Sequence, residues 1–313
     1  MRWRSEISGA ATCLGGLIAG LLVLVSFDFG LPGQSLLQSL RFHIAGGMLV
    51  AVLVLLASRA WWRSTGLLLV MLASLVEGGL IVLGYQQARG AAAERAQPHF
   101  SLMSFNVLSE NPRPRELADF VANAGADVVL VMEGRPLFGH LEQLRRSYPH
   151  IAGCVSGETC GLLILSKTPL EDVEQGDMGW IWRNRLLSAR TQIDGQSVTL
   201  VAAHMVKPYF DDAAEGEAYV LRQRLSRIEG PLVLAGDFNS APWSNNLKRL
   251  IERGNLLTAP SYPATWPVRL GPAGVPIDNV FTRSGLVIEN LRALDDAMGS
   301  NHRGLWAEIS LAQ

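Results

Sequence analysis

The sequence has no surplus of basic charge: 27 Lys and Arg stand against 28 Asp and Glu, a net charge of −1. A protein that grips long nucleic acid by its phosphates needs a basic surface, because phosphate neutralisation supplies most non-specific affinity. Bulk DNA is therefore a poor fit as a substrate. Charged residues are few in any case, at 18% of the chain, and there is neither an internal repeat nor a long low-complexity tract. Cysteine is scarce, with three in 313 residues. Cys13 falls in an apolar run, while Cys154 and Cys160 bracket the turn-like segment Val155 to Thr159. A short-loop disulfide there would require an oxidising compartment; two reduced thiols that happen to be neighbours are the other reading, and the sequence leaves both open.

What the chain has in excess is apolar surface: 49% of its residues, with a mean hydropathy of +0.20. The excess sits at the front, in Ile7 to Phe27, Phe42 to Ala60 and Gly66 to Tyr85. Each run is close to the ~20 residues that a helix needs to cross ~30 Å of hydrocarbon. No small-residue cleavage site followed by polar sequence marks a removable leader. Residues 1–86 are thus expected to hold three transmembrane helices (about 7–27, 42–60 and 66–85), followed by a linker, 87–97, and a large domain, 98–313. Glu77 lies inside the third run with no other intramembrane charge beside it, and its expected role is a hydrogen bond within the helix bundle.

Residues 1–96 carry 7 Arg and 4 acids (+3), and the remainder 20 Lys and Arg and 24 acids (−4). If the helices alternate, Arg2, Arg4, Arg59 and Arg63 share one side, against Arg41, Arg89 and Arg95 on the other. The positive-inside rule then puts the N-terminus in the cytoplasm and the large domain outside it.

From Phe100 onward, short β-rich runs recur: Leu102 to Val107, Asp127 to Met132, Gly161 to Ser166, Leu186 to Ile193, Ser197 to Ala203, Leu232 to Ala235, Ile277 to Thr282 and Leu305 to Leu311. Helical patterns cover Pro114 to Ala124 and Ala213 to Ile228. Asp194-Gly195 between two alternating runs predicts a hairpin. Antiparallel pairs mixed with separate helices fit an α+β arrangement of two packed sheets with helices outside, and argue against a doubly wound sheet.

The most specific local signal is Leu232 to Asn239, LVLAGDFN, an apolar run ending in Gly before Asp237 and Asn239. In an extended chain residues two apart point the same way, so the two side chains are expected to project together. Such a pair can hold a hard cation or a polarised water and hydrogen-bond a phosphoryl oxygen. Other strand ends carry similar groups: Ser104-Phe105-Asn106, Met132-Glu133, Ala203-His204, Ile277-Asp278-Asn279 and, before the last strand, Ser300-Asn301-His302. Polar residues at successive strand ends converge on one rim of a sheet, where a rigid site belongs.

In this order SFN, a strand ending in Glu, AxH, GDFN, IDxVF and SxH resemble the endonuclease/exonuclease/phosphatase superfamily over residues 100–311. That superfamily includes type I DNases, abasic-site endonucleases, neutral sphingomyelinases and inositol phosphatases. With the apolar helices in front, the chain is similar to a bacterial membrane-associated subgroup of it. The resemblance implies a DNase I-like four-layer α/β/β/α sandwich and a divalent ion, Mg²⁺ or Mn²⁺, held by Glu133 with Asn106 and Asn301. It implies further that Asp237 orients or deprotonates the attacking water and Asn239 steadies the phosphate. His302, held by Asp278, would stabilise or protonate the phosphoryl oxygens, and His204 would add a hydrogen bond. In several relatives a further acid orients the residue at His204; no such acid is identifiable in this sequence. Arg185 and Arg303 are candidates for neutralising phosphate charge but read as solvated surface residues. Where the family has Ser-Asp-His this chain has Ser-Asn-His, so Asn301 keeps an oxygen and loses a charge.

The expected function is a membrane-anchored, metal-dependent phosphoesterase acting on a mono- or diester, such as a lipid head group, a small phosphoester or nucleic acid. The bilayer is the expected partner; no cofactor other than the metal and no protein partner are expected. An extracytoplasmic nuclease and a non-catalytic binding module that keeps the fold are the alternatives.

Overall fold

The computed structural model describes residues 2–93, 96–154, 160–209 and 212–312. The turn expected between the two later cysteines, 155–159, lies outside them. Cys154 and Cys160 themselves are joined by a disulfide, with their Cα atoms 5.3 Å apart.

The front of the chain forms α1 (Arg2–Ser26), a short α2 (Gln34–Ser39), α3 (Arg41–Ala57) and α4 (Trp61–Ala93). Leu22, Val25, Ala45, Met48, Val52 and Met71 pack between the long helices. Leu17, Val50, Leu53, Leu69 and Leu80 face outward and are more than half exposed. Two helices, over Trp3–Ser26 and Trp61–Ala92, are long and apolar enough to cross a bilayer. Only 17% of each apolar window is buried, so the rest of the chain does not hide them as core helices. The second expected span, about 42–60, falls short: α3 has 17 residues, or ~26 Å of helix against ~30 Å of hydrocarbon. It stops because the chain turns at Arg59, whose φ is 61°.

Glu77 is not alone, as the sequence reading had it. Arg41, which counted there as a flanking charge, is buried inside the bundle. Its guanidinium lies 3.2 Å from the Glu77 carboxylate and also donates to the carbonyls of Val25 and Ser74. Truncation would leave the buried carbonyls without their donor, at ~1–3 kcal/mol each, while the ion pair itself adds less because the Glu77 side chain is 40% exposed. Arg41→Ala is therefore expected to lower the thermal midpoint of the detergent-solubilised chain markedly, whereas an exposed control, Arg4→Ala, leaves it in place.

Much of the segment expected as a linker is helix, since α4 runs on to Ala93 through the good helix formers Gln86, Gln87 and Ala88. This extension lies against the large domain. Tyr85, Gln86 and Arg89 donate to the carbonyls of Pro242, Ala259 and Ile288 at 3.0–3.1 Å.

The large domain follows as β1 (Ala96–Asn106), α5 (Pro114–Asn123), β2 (Val128–Met132), α6 (Leu141–Leu144), β3 (His150–Ala152), β4 (Leu163–Ser166), β5 (Glu171–Gly176), β6 (Leu186–Ile193), β7 (Gln196–His204), α7 (Ala213–Leu225), β8 (Leu232–Asp237), α8 (Asn245–Arg253), β9 (Asp278–Arg283), β10 (Leu286–Ala293) and β11 (Leu305–Ala312). One sheet has the order β10-β11-β1-β2-β4-β3, the other β5-β6-β7-β8-β9. Both are mixed: β1 and β2 run parallel, as do β7 and β8, and the remaining pairs are antiparallel.

The sheets face each other across one core that includes Leu102, Leu130, Ile164, Leu200 and Val233. The outer face of the first sheet packs on α5 and α6 through Met103, Val129, Leu117 and Leu144. The outer face of the second packs on α7 and α8 through Val201, Leu234, Leu221 and Leu250. The central strands are covered on both faces, which is why β2 and β8 read as continuous apolar runs rather than alternating ones.

Candidate active site

Each sheet delivers its polar strand ends to one place. Asn106 closes β1 and pairs with Met132, which puts Glu133 beside it. In the second sheet His204 is in register with Asp237, and Asp237 with Asp278. Close approach of β7 and β8 explains the glycine of GDFN: a Cβ on Gly236 would lie 1.8 Å from the Ala203 carbonyl oxygen.

The Asn106 carboxamide bridges the two sheets. Its Nδ2 donates to Glu133 Oε1 at 3.1 Å and to Asp237 Oδ2 at 3.0 Å, and its Oδ1 accepts from the Leu108 N–H. Glu133 Oε2 accepts from the Ser109 N–H at 2.8 Å. Asp237 Oδ2 lies 3.6 Å from His204 Nε2 and 3.7 Å from His302 Nε2. On its far side His302 Nδ1 is 2.8 Å from Asp278 Oδ2. Ser300 turns inward, donating to the Asn106 carbonyl and accepting from the His302 N–H. Asn301, between them, is exposed at the rim, and among the described residues its side chain makes no hydrogen bond to the cluster.

Two of these residues have a left-handed backbone, Glu133 with φ of 57° and Asn239 with φ of 50°. Such strain costs ~1–3 kcal/mol and persists where the surroundings over-determine it, typically at functional sites. It also revises the expected geometry of GDFN. The strand ends at Asp237, so Asn239 does not project beside it as the second position of an extended pair. Instead the Asn239 N–H donates to Asp237 Oδ1 at 2.9 Å and its carboxamide to the Met205 carbonyl.

Burial, and after it the Asp278 carboxylate, push Asp237 up to about 7. Burial works against charge on His302, yet Asp278 and Asp237 outweigh it and hold the ring up at about 9. His204 goes the other way: burial and then the Arg185 guanidinium hold it well below the ordinary value. The two histidines are therefore different tools, one charged near neutral pH and one neutral.

Arg185 is the residue that sequence reasoning misjudged. It is half-buried, donates to His204 Nδ1 and stacks on the Trp182 ring at 5.5 Å. It occupies the side of His204 where the resemblance implied an acid, and it fixes the neutral tautomer with Nε2–H toward the cluster. The signal was available. A two-residue turn at Asp194-Gly195 fixes every pair across the β6–β7 hairpin, and counting back from it sets Arg185 opposite His204. Arg303 is half-buried as well, donating to the Leu294 carbonyl away from the cluster.

Behind the site, Glu217 on α7 is buried and accepts from the Val206 N–H at 2.6 Å, while its other oxygen has no partner among the described residues. Burial pushes this carboxyl from 4.5 up to about 7. Between those values the folded chain binds more protons than the unfolded one, so stability falls as pH rises through that window. At 1.36 kcal/mol per unit the fall amounts to ~3 kcal/mol. Glu217→Gln is expected to flatten this part of the pH–stability curve, between pH 4.5 and about 7. A decline as steep as that of the parent chain would show that Glu217 does not cause it.

The donors suit a divalent cation. Glu133 and Asp237 offer hard oxygens of the kind that Mg²⁺ takes, few in number and with room for water on the partly exposed Glu133 side, and Asn106 carries a third that here accepts from the Leu108 N–H. Asp237, Asp278 and His302 also present ligand atoms within 4.8 Å of one another. His302 already engages one Asp278 oxygen, while the other, Oδ1, is buried with no hydrogen-bond partner among the described residues. Three carboxylates in a buried cluster with one charged imidazole leave negative charge for a cation to neutralise.

Comparison with known proteins bears on the same residues. The chain is similar to an endonuclease/exonuclease/phosphatase structure from Beutenbergia cavernae, at 21% identity over 69% of this chain and 72% of that one, with a TM-score of 0.57. A Bacteroides vulgatus endonuclease/exonuclease/phosphatase aligns at 18% identity over 69% and 100%, with a TM-score of 0.55. D. rerio TDP2 complexed with a single-strand DNA product aligns at 17% over 68% and 99%, with a TM-score of 0.56. These likenesses concern the fold. No curated protein matches the chain. The model of the Endonuclease/Exonuclease/phosphatase family matches residues 103–302, from the strand that ends in Asn106 to His302 itself. By that match, which spans every residue of the cluster, the chain belongs to the endonuclease/exonuclease/phosphatase family of metal-dependent phosphoester hydrolases.

Proposed function

We propose that the chain is a membrane-anchored phosphoesterase that uses Mg²⁺ or Mn²⁺ and hydrolyses a phosphate mono- or diester by attack of an activated water. The observation that carries this reading is the meeting of Asn106, Glu133, His204, Asp237, Asp278 and His302 from both sheets around one carboxylate, Asp237. Glu133 and Asn106 would hold the cation, with Asn301 adding its oxygen. When bound, the ion supplies positive charge against the phosphoryl oxygens.

The chain's own groups do the rest. Asp237, raised to about 7, is poised to take a proton from water near neutral pH. His302 carries the proton that the leaving oxygen needs, and Asp278 fixes its ring. His204 donates from Nε2 because Arg185 occupies Nδ1. Asn239, anchored on the Met205 carbonyl, steadies the phosphate.

Three spans with the domain outside the cytoplasm are the anchor we favour, with α3 as a short middle span. The helix ends support this orientation: the N-terminus and the Ser58–Ala60 turn share one end of the bundle, and α2 the other. Once Arg41 is withdrawn into the bundle, four Arg flank the distal end against two near the domain. The disulfide suits an oxidising compartment as well.

The full chain in detergent, assayed against a panel of phosphate mono- and diesters with Mg²⁺ or Mn²⁺, is expected to turn over at least one of them and to stop on chelation. Turnover of none would favour the non-catalytic alternative. Long DNA outcompeting short nucleotides, with activity falling steeply as salt rises, would favour the nuclease. Asn301→Asp restores the charge of the family pattern and should reduce the metal concentration for half-activity by about tenfold. An unchanged or higher requirement would remove Asn301 from the metal site.

A further inference from the structure

We propose that the ester cleaved at this site belongs to a phospholipid head group of the bilayer that holds the helices. This rests on the reading of the chain as a membrane-anchored phosphoesterase and adds the substrate class to it.

The site is tied on both flanks to the end of an apolar helix. Four residues beyond Asp237, the Ala241 N–H donates to Ser39 Oγ at 3.0 Å, and the Trp243 indole N–H donates to the Ser39 carbonyl at 3.3 Å. Ser39 is the last residue of α2, and α3 starts at Arg41. On the other flank, the Asn301 carbonyl beside His302 accepts from the Val268 N–H at 3.3 Å. The loop that begins there runs to Ala273, whose carbonyl is 2.8 Å from His43 Nε2 in the first turn of α3.

Four extended residues span at most ~14 Å. The polar layer of a bilayer adds ~5–8 Å beyond the hydrocarbon on each side. A site no farther than this from the point where α3 enters the hydrocarbon lies at the depth of the head groups and the water just above them. A freely soluble ester gains nothing from that placement.

The rim has the matching chemistry. Trp180 is 82% exposed, and Trp182, next to Arg185, is half exposed. Leu270 is half exposed on the Val268–Ala273 loop. Tryptophan favours the membrane–water interface. Arg269 is exposed on the same loop as Leu270, and Lys207, three residues beyond His204, is exposed as well; such cations are drawn to anionic head groups. The −4 balance of residues 97–313 disfavours a long polyanion, whereas a single phosphate needs only this local charge. The step balances as a hydrolysis: a water oxygen bonds to phosphorus, the P–O bond to one alcohol breaks, and that alcohol leaves with the proton.

The test compares two substrates for the full chain with Mg²⁺. One is a vesicle of phosphatidylethanolamine, phosphatidylglycerol and phosphatidic acid carrying the reconstituted protein; the other is soluble bis(p-nitrophenyl) phosphate. At equal phosphate we expect vesicle lipid to be hydrolysed at least about tenfold faster. The double variant Trp180→Ser, Leu270→Ser should lose about tenfold on vesicles and nothing on the soluble diester. Hydrolysis of the soluble diester without lipid hydrolysis, or a variant without effect on vesicles, would overturn the lipid assignment and leave the phosphoesterase standing. Absence of both activities would overturn the two together.

Discussion

Asp237→Asn is expected to reduce kcat by about 10³-fold on whatever phosphoester the chain hydrolyses, within the range measured when a positioned acid or base is removed. The reason is its position. Asp237 accepts from Asn106 and Asn239 and stands within 4 Å of both site histidines, a set of contacts that neither Glu133 nor Asp278 makes. The substitution should not unfold the chain. Burial and the Asp278 carboxylate already disfavour the charged form, which is why the group sits at about 7. Removing that charge relieves the fold at neutral pH, while the new amide nitrogen faces one of the two N–H donors, so the thermal midpoint of the variant should stay close to that of the parent. A kcat within tenfold of the parent would take Asp237 out of the reaction.

Glu133→Gln should have a comparable effect by a different route. The carboxylate keeps one oxygen on the Ser109 N–H and shares the other with Asn106, an arrangement that a carboxamide can copy only in shape. Loss of its charge removes the main anionic ligand from the proposed metal site. Cation stabilisation of a phosphoryl transition state is worth several kcal/mol, and at 1.36 kcal/mol per factor of ten the expected loss is about 10³-fold at limiting Mg²⁺. Titration calorimetry with Mn²⁺ separates this from a catalytic role. Binding should weaken strongly in Glu133→Gln and remain in Asp278→Asn, whereas equal Mn²⁺ affinity in the parent and Glu133→Gln would place the cation elsewhere.

Much of this site could be read before any coordinates, and the parts that could not share a physical reason. Strands buried on both faces stand out as apolar runs, so β2, β4, β8 and β9 were legible to within about three residues, and β6 and β7 were legible from alternation on either side of Asp194-Gly195. Three strands were not. β3 has only three residues, β5 is a charged edge strand with four exposed positions, and β10 carries a register shift between Ile288 and Asn290. The helix α8 was passed over although Leu247, Leu250 and Ile251 have helical spacing on one buried face. Polar residues at strand ends were visible because each followed an apolar run. Arg185 precedes its strand, and only the register of the hairpin reveals what it faces. The partner of Glu77 escaped for a related reason: Arg41 lies at a helix start, where charge usually means solvent, and here the helix start is buried.

The packing of the front helices against the domain was the least legible feature. Tyr85, Gln86 and Arg89 carry no pattern that announces contacts with two loops and a strand 157 to 199 residues later. Ser39 and Gln38, which cap the loop after Asp237, look like ordinary helix-end residues.

The central claim is that water attacks phosphorus at Asp237, and isotope transfer tests it most directly. With the full chain, Mg²⁺ and a phosphoester that it turns over, hydrolysis in ¹⁸O-labelled water should place one heavy oxygen in the phosphoryl product and none in the released alcohol. Label in the alcohol, or the same labelled product from Asp237→Asn at the parent's rate, would contradict the account.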